Sequence, residues 1–129
     1  MEVEEQYKIL VVDDSDFSRN TITAMLDDPK YSVIGEAANA KEAMNILRDA
    51  KAHIAIVDIV MPEISGFELT EKLIENFPEI TVIMISSLAQ ENVVIDAITV
   101  GATDFLQKPF SKETLIGSIE KVISTMEEM

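Results

Sequence analysis

The sequence predicts an open α/β sandwich in which five parallel strands alternate with five helices, in the strand order 2-1-3-4-5. Short apolar runs and amphipathic stretches alternate five times along the chain of 129 residues. The runs are continuous rather than alternating, which indicates strands buried on both faces. Parallel strands joined by right-handed helical crossovers, with helices on both faces, are the simplest arrangement of such a pattern. The length fits a single domain spanning residues 1–129.

The first strand is predicted from the apolar run at residues 9–12. Residues 16–27 then show apolar side chains at helical spacing, and these are Phe17, Ile22, Met25 and Leu26. A weaker apolar run at residues 31–37, interrupted by Gly35, predicts the second strand.

The second helix is predicted to begin after Asn39, because Asn39 and Glu42 have the spacing of a capping box. The run at residues 54–57 predicts the third strand. A second capping box at residues 65–68 opens the third helix, which the Asn-Phe-Pro sequence at residues 76–78 should end.

The fourth strand is predicted at residues 82–85, followed by a helix at residues 91–100 that ends at Gly101. A short run at residues 105–106 predicts the fifth strand, and the last helix should begin after Ser111.

The amino-acid composition excludes several classes of protein. Hydrophobic residues make up 47% and charged residues 26%, which excludes a disordered chain, and no apolar stretch is long enough to span a membrane. Asp and Glu number 24 against 10 Lys and Arg, a formal charge of −14 that argues against nucleic-acid binding and favours cations and basic partner surfaces. With no Cys and an acidic start at residues 1–5 that lacks the features of a secretory signal, we expect a cytoplasmic protein.

Polar side chains follow four of the five predicted strands. Asp13 and Asp14 follow the first strand, Asp58 the third, Ser86 the fourth and Lys108 the fifth. Open parallel sheets bind ligands outside the carboxyl ends of their strands, so we expect these groups to meet at one edge. Clustered carboxylates require a cation, and oxygen ligands without His or Cys suit Mg²⁺. A carboxylate can also accept a phosphoryl group, whose oxygens a lysine and a hydroxyl can hold.

The motifs at these strand ends resemble the receiver domain of two-component response regulators, most closely the stand-alone, CheY-like receivers. They are Val11-Val12-Asp13-Asp14-Ser15, Val57-Asp58-Ile59-Val60-Met61-Pro62, Ser86-Ser87 and Lys108-Pro109-Phe110, in the family's order. The resemblance covers nearly the whole chain and implies the flavodoxin/CheY-like fold.

The resemblance also implies a role for each matching residue. Asp58 would be the phosphoacceptor, and Mg²⁺ would be bound by Asp13, Asp14, Asp58 and the carbonyl of Val60. Ser86 and Lys108 would contact the phosphoryl group, and Ser86 and Phe105 would be the switch residues. Lys108 and Pro109 would be joined by a cis peptide bond.

The function implied is a phosphorylatable switch, not an enzyme beyond its own phosphorylation and dephosphorylation. Its partners would be a histidine kinase or phosphotransfer protein, a downstream target bound by the face of residues 90–127, and a phosphatase. Chemotaxis is the candidate pathway, and we expect a monomer that binds neither nucleic acid nor membrane.

Three alternatives stay open on sequence alone. Residues 14–18 superficially resemble the aspartyl nucleophile motif of haloacid-dehalogenase-like phosphatases. A receiver-like scaffold that is never phosphorylated is the second alternative, and a flavodoxin-like electron carrier is the third.

The lifetime of the phosphorylated state is the last prediction. In receivers, the side chains two places after the acceptor and two places after the switch hydroxyl border the path of the hydrolytic water. Here they are Val60 and Leu88, both apolar, so we expect slow self-dephosphorylation.

Overall fold

The chain folds into a parallel five-stranded sheet in the order β2-β1-β3-β4-β5, with five helices. This is a computed structural model, and it describes residues 6–127. The strands are β1 Tyr7–Val12, β2 Tyr31–Ala37, β3 Ile54–Asp58, β4 Thr81–Ser86 and β5 Asp104–Gln107. The helices are α1 Asp16–Met25, α2 Ala40–Asp49, α3 Gly66–Asn76, α4 Glu91–Thr99 and α5 Lys112–Glu127. The predicted fold class and strand order are confirmed.

The two faces of the sheet carry separate hydrophobic clusters. Leu10 and Val12 of β1 pack with α2, α3 and α4 on one face, while Ile9 and Val11 pack with α1 and α5 on the other. Successive side chains of a strand point to opposite faces, so a strand covered on both sides must be apolar at every position. This is why the central strands appear in the sequence as continuous apolar runs.

Polar side chains cap α1, α2 and α3, which begin at the edge of the sheet where the strands have their carboxyl ends. The Oγ of Ser15 accepts the N–H of Ser18 at the start of α1, and the Oγ of Ser65 accepts the N–H of Glu68 at the start of α3. Asn39 accepts the N–H of Glu42, as its capping box predicts. These caps fix where each loop becomes a helix, and therefore how the strand-end side chains are presented.

The acidic start at residues 1–5 and the last two residues, 128–129, lie outside the described part of the chain. Among the residues that the structure does describe, no helix combines the length and apolar character needed to cross a membrane.

Candidate phosphoryl and metal site

Backbone pairing brings the four strand ends together at one edge of the sheet. The N–H of Asp13 bonds the carbonyl of Ala37, and the N–H of Ile59 bonds the carbonyl of Ile85. The N–H of Lys108 donates to the carbonyl of Ser86 at 2.8 Å. The side chains at the ends of β3 and β4, and those that follow β1 and β5, are thereby held around one small region.

The three aspartates form a single carboxylate cluster. Oxygens from Asp13, Asp14 and Asp58 all lie within 4.8 Å of one another. Asp13 is completely buried and Asp58 is 6% exposed, whereas Asp14 is exposed to solvent. The cluster is thus open on the side of Asp14, which is where a hydrated cation can enter.

Lys108 supplies the positive charge of the site. Its Nζ lies 2.6 Å from Oδ2 of Asp13 and 3.4 Å from Oδ2 of Asp58. The peptide bond between Lys108 and Pro109 is cis. The ammonium therefore bridges two of the three carboxylates and is closer to Asp13.

The two buried carboxylates differ in their electrostatic surroundings. Burial raises the pKa of Asp13, but hydrogen bonds from Lys108, Ser18 and the N–H of Ser15 outweigh burial and leave that pKa below its ordinary value. Burial and the charge of Asp13 raise the pKa of Asp58 to about 6, although Lys108 and the N–H of Val60 act in the opposite direction. The charged form of Asp13 is therefore better stabilised than that of Asp58. Of these two buried carboxylates, Asp58 is the one whose charged form an added cation would stabilise more.

The hydroxyl of Ser86 is fully buried beside this region. Its Oγ accepts the N–H of Leu88 at 3.0 Å. Phe105, on β5 next to β4, is partly buried and packs against the cluster formed with α2, α3 and α4. Val60 is 55% exposed and Leu88 is 44% exposed, so two apolar side chains stand in solvent on the loops that follow β3 and β4.

Gly66 supports the backbone of Asp58 in a way that the sequence analysis missed. A Cβ added to Gly66 would lie 2.2 Å from the carbonyl oxygen of Asp58, so only glycine fits here. The N–H of Gly66 also donates to the carbonyl of Ile59 at 2.8 Å. The available signal was a glycine placed at the first position of an otherwise ordinary helix.

Two residues of α1 also contact Asp13, and sequence analysis assigned neither to the site. The Oγ of Ser18 donates to Oδ2 of Asp13 at 2.6 Å. Arg19 has a side chain only 13% exposed. Its guanidinium donates to the carbonyl of Asp13 and pairs with Asp16 and Glu36. Acceptors from the loop after β1, from α1 and from β2 thus surround the guanidinium.

Phe17 departs from the expected apolar face of α1, because it is 80% exposed. Ser18, Ile22 and the C-cap Leu26 are spaced four residues apart on one face, where Ile22 and Leu26 are buried and Ser18 is partly buried. Phe17 lies about 140° around the helix from Ile22, so its ring faces solvent.

Comparison with known proteins shows the family to which this chain belongs. The model of the response regulator receiver domain matches residues 9–120. The chain therefore belongs to the response regulator receiver domain family. As a receiver domain it is a phosphorylatable signalling switch.

Several relatives are similar to this chain over most of their own length. The chemotaxis protein CheY of Listeria monocytogenes is 38% identical over 114 residues, which cover 88% of this chain and 96% of that protein. A CheY-like receiver domain protein from Methanospirillum hungatei has a TM-score of 0.87 at 25% identity, over 96% of this chain and 98% of that one. A chain of the CheX–CheY–BeF3–Mg²⁺ complex from Borrelia burgdorferi has a TM-score of 0.85 at 28% identity, covering 91% and 89% of the two chains.

Receiver domains bind Mg²⁺ at an acidic pocket, and the residues present here fit that ion. Three carboxylates with neither His nor Cys among them form a hard oxygen donor set. The exposed position of Asp14 leaves room for the waters that Mg²⁺ retains.

Proposed function

We propose that Asp58 accepts a phosphoryl group from the phosphohistidine of a histidine kinase or phosphotransfer protein. The supporting observation is the cluster of three carboxylates with Lys108 Nζ at 2.6 Å and 3.4 Å from two of them. An oxygen of Asp58 attacks phosphorus in line, and the nitrogen–phosphorus bond breaks as the oxygen–phosphorus bond forms. The bonding pair stays on the departing ring nitrogen, and because the other ring nitrogen carries a proton during transfer, the imidazole leaves as a neutral group.

In this proposal Asp13, Asp14, Asp58 and the carbonyl of Val60 hold Mg²⁺. When bound, the ion neutralises the transferring phosphoryl oxygens and the crowded carboxylates. Lys108 needs only a short displacement from Asp13 to reach an oxygen on phosphorylated Asp58, because it already lies 3.4 Å from that side chain.

The signal is proposed to pass through Ser86 and Phe105. The Ser86 hydroxyl accepts the N–H of Leu88 but is free to donate its own proton to a phosphoryl oxygen. Movement of Ser86 toward Asp58 opens space beside β5, into which the partly buried ring of Phe105 can turn. The phosphoryl group then favours the conformation that it contacts best, which is a population shift.

The output is proposed to be protein binding through the face of residues 90–127. Ile95 and Ile98 of α4 are exposed apolar side chains on this face. The charge of −14 favours a partner with basic groups around an apolar centre and argues against nucleic acid. We propose a monomeric, cytoplasmic protein of one domain, residues 1–129, that does not act at a membrane. The names of its relatives, which are chemotaxis proteins, support a target in chemotaxis. A separate phosphatase is proposed because Val60 and Leu88 favour slow self-dephosphorylation.

The test of the acceptor uses a radiolabelled small phosphodonor with Mg²⁺. Wild type should incorporate acid-stable, base-labile phosphate, and Asp58→Asn should not. Labelling that survives Asp58→Asn but is lost in Asp14→Asn would favour the phosphatase-like alternative. A wild type that takes up no label from either the small donor or a phosphorylated kinase would favour the scaffold.

The metal site is tested by titrating the protein with Mg²⁺ alone and measuring the heat of binding by calorimetry. Asp14→Ala should lose at least about tenfold in affinity, because it removes one of a few ligand carboxylates. Asp49→Ala, an exposed acid at the end of α2, is the matched control and should bind like wild type. Equal affinities for Asp14→Ala and wild type would remove Asp14 from the site.

A further inference from the structure

Ser18 and Lys108 share one oxygen atom of Asp13. The Oγ of Ser18 and the Nζ of Lys108 each lie 2.6 Å from Oδ2 of Asp13. The other oxygen, Oδ1, accepts the N–H of Ser15 at 2.9 Å. Asp13 is completely buried, so these protein groups take the place that water has at an exposed carboxylate.

The hydroxyl of Ser18 is not needed by the helix that carries it. The cap of α1 is Ser15, whose Oγ accepts the backbone N–H of Ser18. Ser18 lies on the buried face of α1 in line with Ile22, where an apolar residue would otherwise be expected. The polar side chain at this position instead donates a hydrogen bond to Asp13.

We propose that Ser18 is a positioning residue that keeps Asp13 hydrogen-bonded when Lys108 transfers to the phosphoryl group. This inference rests on the proposed function of Asp58. Lys108 leaves Oδ2 of Asp13 when its ammonium turns to the phosphoryl oxygens. A buried charged oxygen left without a hydrogen-bond donor carries a large desolvation penalty. The hydroxyl of Ser18 reduces this penalty because it stays hydrogen-bonded to Oδ2 of Asp13. Ser18 thus makes the lysine available to the phosphoryl group.

The proposed role of Ser18 has different consequences in the free protein and in the protein that carries a phosphoryl group. Without a phosphoryl group, loss of the Ser18 hydroxyl leaves Oδ2 of Asp13 bonded to Lys108. With a phosphoryl group, the same loss leaves Oδ2 without either hydrogen-bond donor, so that only the Mg²⁺ that Asp13 would hold could still balance its charge. Removal of the hydroxyl should therefore weaken binding of a phosphoryl analogue more than it disturbs the free protein.

The experiment measures binding of beryllofluoride with saturating Mg²⁺ by ¹⁹F NMR. Ser18→Ala should bind about tenfold more weakly than wild type, the size expected for one charge-assisted hydrogen bond. Ser18→Cys keeps the volume and has only a weak donor, so it should also bind more weakly, whereas Ser18→Thr keeps the hydroxyl and should bind like wild type. Asn20→Ala, an exposed change on the same helix, is the control.

The second arm measures the affinity of the same variants for Mg²⁺ alone. Mg²⁺ alone does not draw Lys108 onto a phosphoryl group, so the loss should be much smaller than with beryllofluoride. Equal losses in the two arms, or wild-type affinity for beryllofluoride in Ser18→Ala and Ser18→Cys, would overturn the role of Ser18. A wild type that binds Mg²⁺ but no beryllofluoride would instead contradict the proposed phosphoacceptor, and the inference with it.

Discussion

The Nζ of Lys108 lies 2.6 Å from Oδ2 of Asp13, although the two residues are 95 positions apart in the sequence. The carboxylate is completely buried, and the ammonium reaches it from the loop after β5. The contact joins the loop after β1 to the loop after β5 at the edge of the sheet that carries the carboxylate cluster. It also keeps the ammonium of Lys108 close to the proposed acceptor, Asp58.

Replacement of Lys108 by Met should destabilise the protein. The variant leaves clustered carboxylates without their ammonium, and we expect a loss of about 2 kcal/mol in the free energy of unfolding. Saturating Mg²⁺ should restore more stability to Lys108→Met than it adds to wild type, because a cation then replaces the ammonium. Urea unfolding with EDTA or with Mg²⁺ measures both effects. Lys121→Met, which removes an exposed lysine that pairs with Asp104, is the control. A Lys108→Met variant as stable as that control would show that the buried contact contributes nothing.

Asp58 should make stability depend on pH in the absence of Mg²⁺. Burial and the charge of Asp13 raise its pKa to about 6, from 3.8 when unperturbed. Between these values the folded protein holds a proton that the unfolded chain has released, so this group's contribution falls as pH rises and reaches its minimum above pH 6. Asp58→Asn should therefore be more stable than wild type at pH 7.5, by roughly 3 kcal/mol, and the difference should shrink at pH 5.

Urea unfolding of both proteins in EDTA at the two pH values measures this difference. Asp49→Asn removes an exposed acid and reports the effect of losing one surface charge. A stability difference between wild type and Asp58→Asn that is the same at pH 5 and pH 7.5 would contradict the electrostatic description of the site.

Gly66→Ala should displace the proposed acceptor. The new Cβ would lie 2.2 Å from the carbonyl oxygen of Asp58, so the backbone of one segment must shift. We expect a loss of roughly 3 kcal/mol in stability, together with slower phosphate incorporation per folded molecule. Gly117→Ala is a matched control, because nothing lies within 4 Å of its added Cβ in α5. That control should gain up to about 1 kcal/mol from helix propensity. Equal labelling rates in the two variants would show that Asp58 tolerates the displacement.

Self-dephosphorylation should be slow because Val60 and Leu88 are apolar. Both are exposed on the loops that follow Asp58 and Ser86, and neither can orient an attacking water. The double variant Val60→Asn/Leu88→Glu should lose its phosphate faster, on the order of tenfold, at fixed Mg²⁺. Ile95→Asn changes an exposed apolar residue of α4 and is the control. A wild type that decays as fast as the double variant would refute the prediction.

The main features of the fold follow from local patterns. Strands buried on both faces must be apolar at each position, so runs such as residues 54–57 could be recognised directly. The polar residues that interrupt this pattern at the strand ends are the ones that the parallel sheet gathers, which is why Asp13, Asp58 and Lys108 could be predicted together.

The contacts that support those residues could not be predicted in the same way. The hydrogen bond from Ser18 to Asp13 and the close approach of Gly66 to Asp58 depend on the path of each loop. Arg19 resembles any helix-surface arginine until the loop folds back and presents the carbonyl of Asp13 to it. The direction of Phe17 is set by which neighbouring positions pack, and one apolar residue near a helix end does not determine that.

The most direct test of the central claim is to locate the phosphoryl group. Wild type is phosphorylated with a small phosphodonor and Mg²⁺, the acyl phosphate is reduced with borohydride, and the peptides are sequenced by mass spectrometry. Reduction converts a phosphorylated aspartate to homoserine and leaves the other aspartates unchanged. We predict homoserine at Asp58, and only in samples that received both the donor and Mg²⁺. Homoserine at Asp13 or Asp14 with Asp58 unchanged would contradict the account.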